Sequence, residues 1–421
     1  MSEVMTELEQ RIGKAHARAR QLLGASEAQA QAGLELHQNL LVVDTFCLAP
    51  SALDPQGVEL ANQAIEAHED PADVYDTLMD ASFTGPVRDP RAWEAYSAII
   101  KGAGVNAAFR NASQHGSDNL LSAVRSAARF QHFCDNLPGQ VVKAVRARDA
   151  RRAFAEGKYA VFFSSNNPPA MGGFRNGYDL LNWLGIFHRL GYRIMHLAYD
   201  RRNWIADGCY EETDAGLSGF GRAAVERFND LGIIVDVAHS SVQTTLDAAS
   251  ASRAPIAASH TICRALRAHP RGETDESLRA IADTGGFAGI TCVPQFLAES
   301  GTIVDFLNHI DHAVNVMGID HVTIGTDCGF GATIPGGPKM LPRPAGRTGD
   351  APGPLVKIPR SGPPPDESES RGGSLSFVAW PYFTVGLKMR GYSDENIGKI
   401  VGGNALRVLE EVEAAAKTSV W

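Results

Sequence analysis

Two histidines, each closing a short apolar run, are the residues of this 421-residue chain best placed to do chemistry. His239 ends GIIVDVAHS (232–240) and His260 ends APIAASHT (254–261). A neutral imidazole offers a nitrogen lone pair to zinc, and two imidazoles on consecutive strand ends come within joint reach of one ion. Asp327, in HVTIGTDC (321–328), is then a third ligand or a general base. The other runs end in Asp44, Arg110 or Asn111, Asn166, Tyr199 and Cys292. Cys47, Cys292 and Cys328 lie at or just past run ends, where a thiolate would bind zinc. Small apolar filler is the commoner role of a free cysteine and the one expected here.

For these groups to meet, the runs that carry them must be parallel strands ending on one side. Eight runs qualify: 39–46, 104–111, 158–167, 192–200, 232–240, 254–261, 286–294 and 321–328. Helical segments such as DLLNWLGIFHRL and GFGRAAVERFNDL alternate with them. Near-continuous apolar strands separated by crossover helices predict an α/β fold, and eight of them favour a closed (β/α)8 TIM barrel. A doubly wound open sheet would want a Gly-rich first turn, and none follows Asp44. A ninth run, QVVKAVRARDA (140–150), is expected outside the barrel, before the third strand.

Residues 1–38, rich in Ala, Glu, Gln and Leu, read as a helical extension. The barrel domain then spans 39–412, and 413–421 form a tail. Residues 331–373 hold ten of the 22 prolines, so they can form neither helix nor central strand. As this insert follows the eighth strand, on the face where catalytic loops sit, it is expected to be either a lid over the pocket or a disordered linker. GYDLLNWLGIFHRLG has helical spacing, which puts Trp183 and His188 on a helix face. Asp207, Glu211, Glu212 and Asp214, in a loop after the fourth strand, either face a substrate amine or are simply solvated.

Composition narrows the function classes. With 44% hydrophobic and 21% charged residues the chain is globular, and a net charge of −9 argues against nucleic acid as a partner. No GxGxxG or P-loop supports nucleotide binding. No stretch of 18 apolar residues suggests a membrane span, and the first thirty residues lack a signal-peptide core. Six scattered cysteines without a CxxC fit reduced thiols in the cytoplasm.

The segments GYRIMHLAYDRRNWIADGC, TDAGLSGFGRAAVERFNDLGIIVDVAHSS, APIAASHTICRALRAHPRGETDESLRAIADTGGFAGI and HIDHAVNVMGIDHVTIGTD resemble the membrane (renal) dipeptidase family. The likeness runs over residues 39–412 apart from the insert. It implies a metallo-dependent hydrolase barrel with a binuclear zinc centre, small peptide-like substrates and a homodimer. Matched position by position, the family's second-zinc histidines fall on His239 and His260. Its substrate-carboxylate arginine falls on Arg271, its acid/base aspartate on Asp327, and its oxyanion-contacting histidine on Tyr199. The first-strand His-x-Asp pair falls on Phe46 and Leu48, and the bridging carboxylate on Asn166. Neither Phe46 nor Leu48 can donate to a cation, so at most one zinc is expected.

The implied activity is hydrolysis of a dipeptide or related small amide with a free carboxylate, using Asp327 and Tyr199 catalytically and Arg271 and Asn166 for binding. A second expectation is a tailoring enzyme using mononuclear or no metal, performing elimination, isomerisation or decarboxylation on an amino-acid-derived substrate. A third is a non-catalytic carboxylate-binding relative.

Overall fold

The computed structural model describes residues 3–69, 71–112, 120–166, 176–341 and 373–417. Eight strands lie at the positions of the eight runs: β1 (Val43–Cys47), β2 (Ala107–Asn111), β3 (Tyr159–Ser165), β4 (Tyr192–His196), β5 (Ile234–Asp236), β6 (Ile256–Cys263), β7 (Phe287–Ile290) and β8 (Val322–Ile324). They follow one another round the sheet in chain order, every neighbouring pair parallel. The sheet curls into a nearly closed barrel. Its seam, between β1 and β8, is bridged just past the strands, where Asp327 N donates to Phe46 O (2.8 Å) and Leu48 N to Cys328 O (3.0 Å).

The ninth run supplies a short strand, Val141–Lys143, on the flank of β3 and the start of a helix, Ala147–Ala155. Beyond the seam, Ser51–Leu53 pairs with Gly331–Thr333 in a separate two-stranded sheet, so the insert's first residues form a short strand off the barrel. Residues 342–372, on which the expectation of a lid or linker rests, lie outside the described residues. Two helices, Glu3–Leu23 and Glu27–Asn39, precede β1; the second starts at a capping box between Ser26 and Gln29. No helix among the described residues is long and apolar enough to cross a membrane.

Inside the barrel, Val43, Phe109, Phe162, Ile194, Ile234 and Phe287 form an apolar plug, with Phe109 and Phe162 stacked at 4.6 Å. The last helix, Asn404–Ala415, adds Leu406, Leu409 and Val412 to it. Polar groups begin above the plug, at the strands' C-terminal ends.

Candidate active site

Bulges aim the key side chains. The register of β1 against β2 slips between Asp44 and Cys47, and that of β6 against β7 slips between Ala258 and Thr261. Each slip rotates the strand end, as an extra residue in a ladder does. On β6 it drives the Ser259 carbonyl inward, where Thr45 Oγ1 donates to it at 2.7 Å. A Cβ on Gly289 or Gly325 would stand 2.2 or 2.0 Å from that oxygen, so only glycine fits at either place. On β1 the slip brings Phe46 over His260, ring centroids 4.0 Å apart and planes within 18°.

His239 and His260 meet directly. Their Nε2 atoms are 3.0 Å apart and face one another. His239 Nδ1 donates to Asp200 Oδ1 at 2.6 Å, and the Tyr199 ring stacks on His239 at 4.3 Å. His260 Nδ1 is 2.9 Å from Ser259 Oγ, which lies 3.3 Å from His196 Nε2. His196 is fully buried, with Nδ1 donating to the Asn166 carbonyl (3.0 Å) and Nε2 2.9 Å from Asp236 Oδ2. His196 Nε2 thus lies within reach of both the Asp236 carboxylate and the Ser259 hydroxyl. Burial alone would raise the Asp236 pKa, but His196 and the bonds from Ser259 hold it below the ordinary range. The result is one polar chain, Asp200–His239–His260–Ser259–His196–Asp236, with a carboxylate at each end.

Among the described residues, three of the four non-glycine residues with positive φ belong to this mouth: Asp200 (62°), His239 (67°) and Asp327 (54°). Such backbone strain collects where side-chain placement matters more than local stability. Asp327 is half-buried in the mouth, and desolvation, partly offset by Arg271 and His196, raises its pKa to about 7. That suits a group asked to take and return a proton near neutrality. Arg271 is buried, with Nη2 donating to His260 O (3.1 Å), while its Nε has no partner among the described residues.

All six predicted site residues are thus in one region, with Asn166 beside His196. Arg110, one of two candidates on β2, is not. Its guanidinium points into the helical layer, between Phe83 and Phe130, and donates to the Leu48 and Pro50 carbonyls. Asp44 is also structural, a fully buried acceptor for Phe46 N, Thr326 N, Thr326 Oγ1 and Trp380 Nε1. Cys47 and Cys328 donate their thiols to carbonyls, and burial raises the Cys47 and Cys292 pKa values, as packing residues behave. The acidic loop braces itself: Asp207 pairs with Arg202, and Asp214 accepts from Ser241 Oγ and the Gln243 amide.

His196, Asp200, Asp236 and Ser259 were missed by the sequence reading. A signal existed for two of them. His196 and Asp236 interrupt otherwise apolar buried strands, and an ionisable residue there must find a partner.

The donor set can be compared with what zinc requires. Two imidazole nitrogens face one point, each ring held from behind by Asp200 or Ser259, as metal-binding histidines are. Zinc–nitrogen bonds of about 2.0–2.1 Å in tetrahedral geometry need the nitrogens only slightly farther apart than 3.0 Å. No group of three or more His, Cys, Asp or Glu side chains able to hold a metal lies among the described residues. A single ion placed between the two rings would find two imidazole nitrogens.

Comparison with known proteins agrees with this architecture. The family model for membrane dipeptidase (peptidase family M19) matches residues 32–339. The chain belongs to the membrane dipeptidase family. Among curated members it is similar to dipeptidase tcpJ of Claviceps purpurea (strain 20.1), 28% identical over 330 residues, 77% of this chain and 66% of the relative. Dipeptidase verJ of Clonostachys rogersoniana is 29% identical over 258 residues, 60% of this chain and 57% of the relative. The chain thus spans no more than about two thirds of either family member. Among solved structures, an amidohydrolase from Pseudomonas aeruginosa superposes with a TM-score of 0.65 at 24% identity, covering 90% of this chain and 98% of its own. The probable dipeptidase PvdM of the same organism gives 0.66 at 21%, covering 93% and 100%. These superpositions establish the shared barrel.

Proposed function

We propose that this chain hydrolyses a dipeptide or related small amide bearing a free carboxylate, with at most one zinc ion. The observation that carries the reading is Arg271: a buried guanidinium whose Nε has no partner among the described residues, in the same mouth as the paired imidazoles and Asp327. A buried cation with an unused donor is poised for an anionic ligand, and a carboxylate suits its planar fork. With the substrate anchored there, Asp327 takes the attacking water's proton and hands it to the leaving amine. The Tyr199 hydroxyl donates to the oxygen on which negative charge develops. Asn166 lines the substrate side and fixes His196 through its carbonyl. His239 and His260 would hold the ion, whose contribution when bound is to bring the pKa of its water toward ~7.

The limit of one ion rests on Phe46 and Leu48, which stand where the family resemblance places a first pair of ligands and which carry no donor atoms. A second reading, acid–base chemistry without metal on an amino-acid-derived substrate, would use Asp327, whose pKa burial raises to about 7, as its proton carrier beside Arg271. Metal analysis of protein purified without added zinc separates the two. About one equivalent, lost together with dipeptide cleavage in His239→Ala, is expected. Folded, metal-free protein that leaves a dipeptide panel intact overturns the hydrolase reading, and turnover of a metal-free preparation on carboxylate substrates favours the second.

A further inference from the structure

Arg271 does not stand alone at its side of the mouth. Its guanidinium lies 5.9 Å from the centre of the Phe296 ring, and the His269 ring packs on Phe296 at 4.6 Å. Tyr210 meets His269 edge-on at 6.4 Å. All three rings are only half-buried, whereas Arg271 beside them is buried. Such rings keep part of a face or edge uncovered, and grouped beside a buried cation they offer a surface that an apolar side chain can cover.

The rings are also fixed in place. His269 Nδ1 accepts from the Arg271 backbone N–H at 3.2 Å, so the ring is neutral and its orientation tied to that arginine. Burial and the neighbouring guanidinium lower the His269 pKa to about 4, which keeps it uncharged at working pH. Tyr210 is held through its backbone, its N–H donating to the Asp200 carbonyl and its own carbonyl accepting from Arg201. The wall therefore joins a buried guanidinium, whose Nε has no partner among the described residues, to a run of three rings in successive contact.

We infer that Tyr210, His269 and Phe296 form the specificity pocket for the substrate residue whose carboxylate Arg271 holds, and that this residue carries an aromatic or large apolar side chain. The inference rests on the carboxylate-binding role proposed for Arg271. An α-amino acid bears its side chain on the carbon next to the carboxylate, so a carboxylate docked on Arg271 sets that side chain among the rings. Stacked and edge-to-face contacts then add to simple burial, and a small side chain leaves them unmade.

The test is calorimetric titration of the purified full chain with three probes: N-acetylphenylalanine, N-acetylalanine and N-acetylphenethylamine, the first two in both enantiomers. N-acetylphenylalanine should bind at least about tenfold tighter than N-acetylalanine, a difference that aromatic contacts of ordinary strength supply. Phe296→Ala should remove most of that preference, bringing the affinities for the two N-acetylamino acids to within about threefold of each other. Phe296→Leu, which keeps the bulk, should retain part of it. Equal binding of the two N-acetylamino acids to the native protein overturns the pocket but leaves the carboxylate site standing. Binding of N-acetylphenethylamine as tight as that of N-acetylphenylalanine, or of none of the probes, overturns the role of Arg271 itself.

Discussion

A phenyl ring stacked on His260 takes the space beside that imidazole and offers no lone pair in return. Replacing it with a donor gives a sharp test of the metal site. In Phe46→His a third nitrogen stands next to the His239–His260 pair, so the one equivalent of zinc should survive dialysis against a chelator that strips it from the native protein. Equal loss from the folded variant and the native protein would show that the pair does not act as a metal site. The acid–base roles separate differently. Asp327→Asn keeps the shape and removes the proton carrier, so cleavage should fall by at least about a hundredfold while binding of a carboxylate ligand persists. Equal losses in both would make Asp327 structural. His239, His260 and Asp327 were legible in the sequence because polar residues at the ends of apolar runs stand out. Asp200 and Ser259 were not. Their importance comes from which nitrogen they face, a fact set by bulges and positive-φ turns that no local pattern encodes.

Elements hold these residues through contacts far from the chemistry. The inward Ser259 carbonyl is tolerated only because β7 and the segment after β8 present Gly289 and Gly325 to it. In Gly325→Ala the new Cβ meets a backbone oxygen at 2.0 Å, and a strand rather than a flexible side chain must yield. A destabilisation of about 3 kcal/mol or more is expected in denaturant titrations. Thr45→Val, which removes only the hydroxyl bonded to that carbonyl, should cost about 1–2 kcal/mol. The second N-terminal helix provides a pH signature. His37 is buried, with Nε2 donating to the Ala103 carbonyl at 3.0 Å and Nδ1 accepting from Thr384 Oγ1 at 2.8 Å. Burial lowers its pKa from 6.5 to about 4. A folded pKa below the unfolded one means that the unfolded chain binds the proton first. The stability is therefore fully present above pH 6.5 and declines as pH falls toward 4, by about 3 kcal/mol in all. The unfolding free energy of the native protein should drop more steeply over that window than that of His37→Gln, and parallel curves would remove His37 from the account. Periodicity sufficed to find these helices and strands. The register slips were invisible because they depend on two glycines thirty and sixty-six residues beyond the carbonyl they accommodate.

At the scale of the whole molecule, the barrel has to close, and the seam between β1 and β8 is where it does so without a regular ladder. The number and order of strands could be read from eight apolar runs, but not how the first would meet the last. Asp44 makes the join. One carboxylate accepts from the backbone of both seam strands' extensions, from the Thr326 hydroxyl at 2.6 Å and from the Trp380 indole at 3.1 Å. Burial raises its pKa to about 6, while those four donors keep it from rising further. In Asp44→Ala four buried donors lose their acceptor together, and about 3–5 kcal/mol of stability should go with it. Asp44→Asn, whose amide oxygen still serves part of the set, should lose less. Because Trp380 is buried against this carboxylate, its fluorescence reports the seam directly. Phe46 and Asp327 are joined across the same seam by their backbones, so a loosened join displaces the proton carrier as well. Cleavage should therefore fall in Asp44→Asn even where most of the protein remains folded. If activity stayed at the native level while the indole signal changed, closure of the barrel and assembly of its mouth would be independent events.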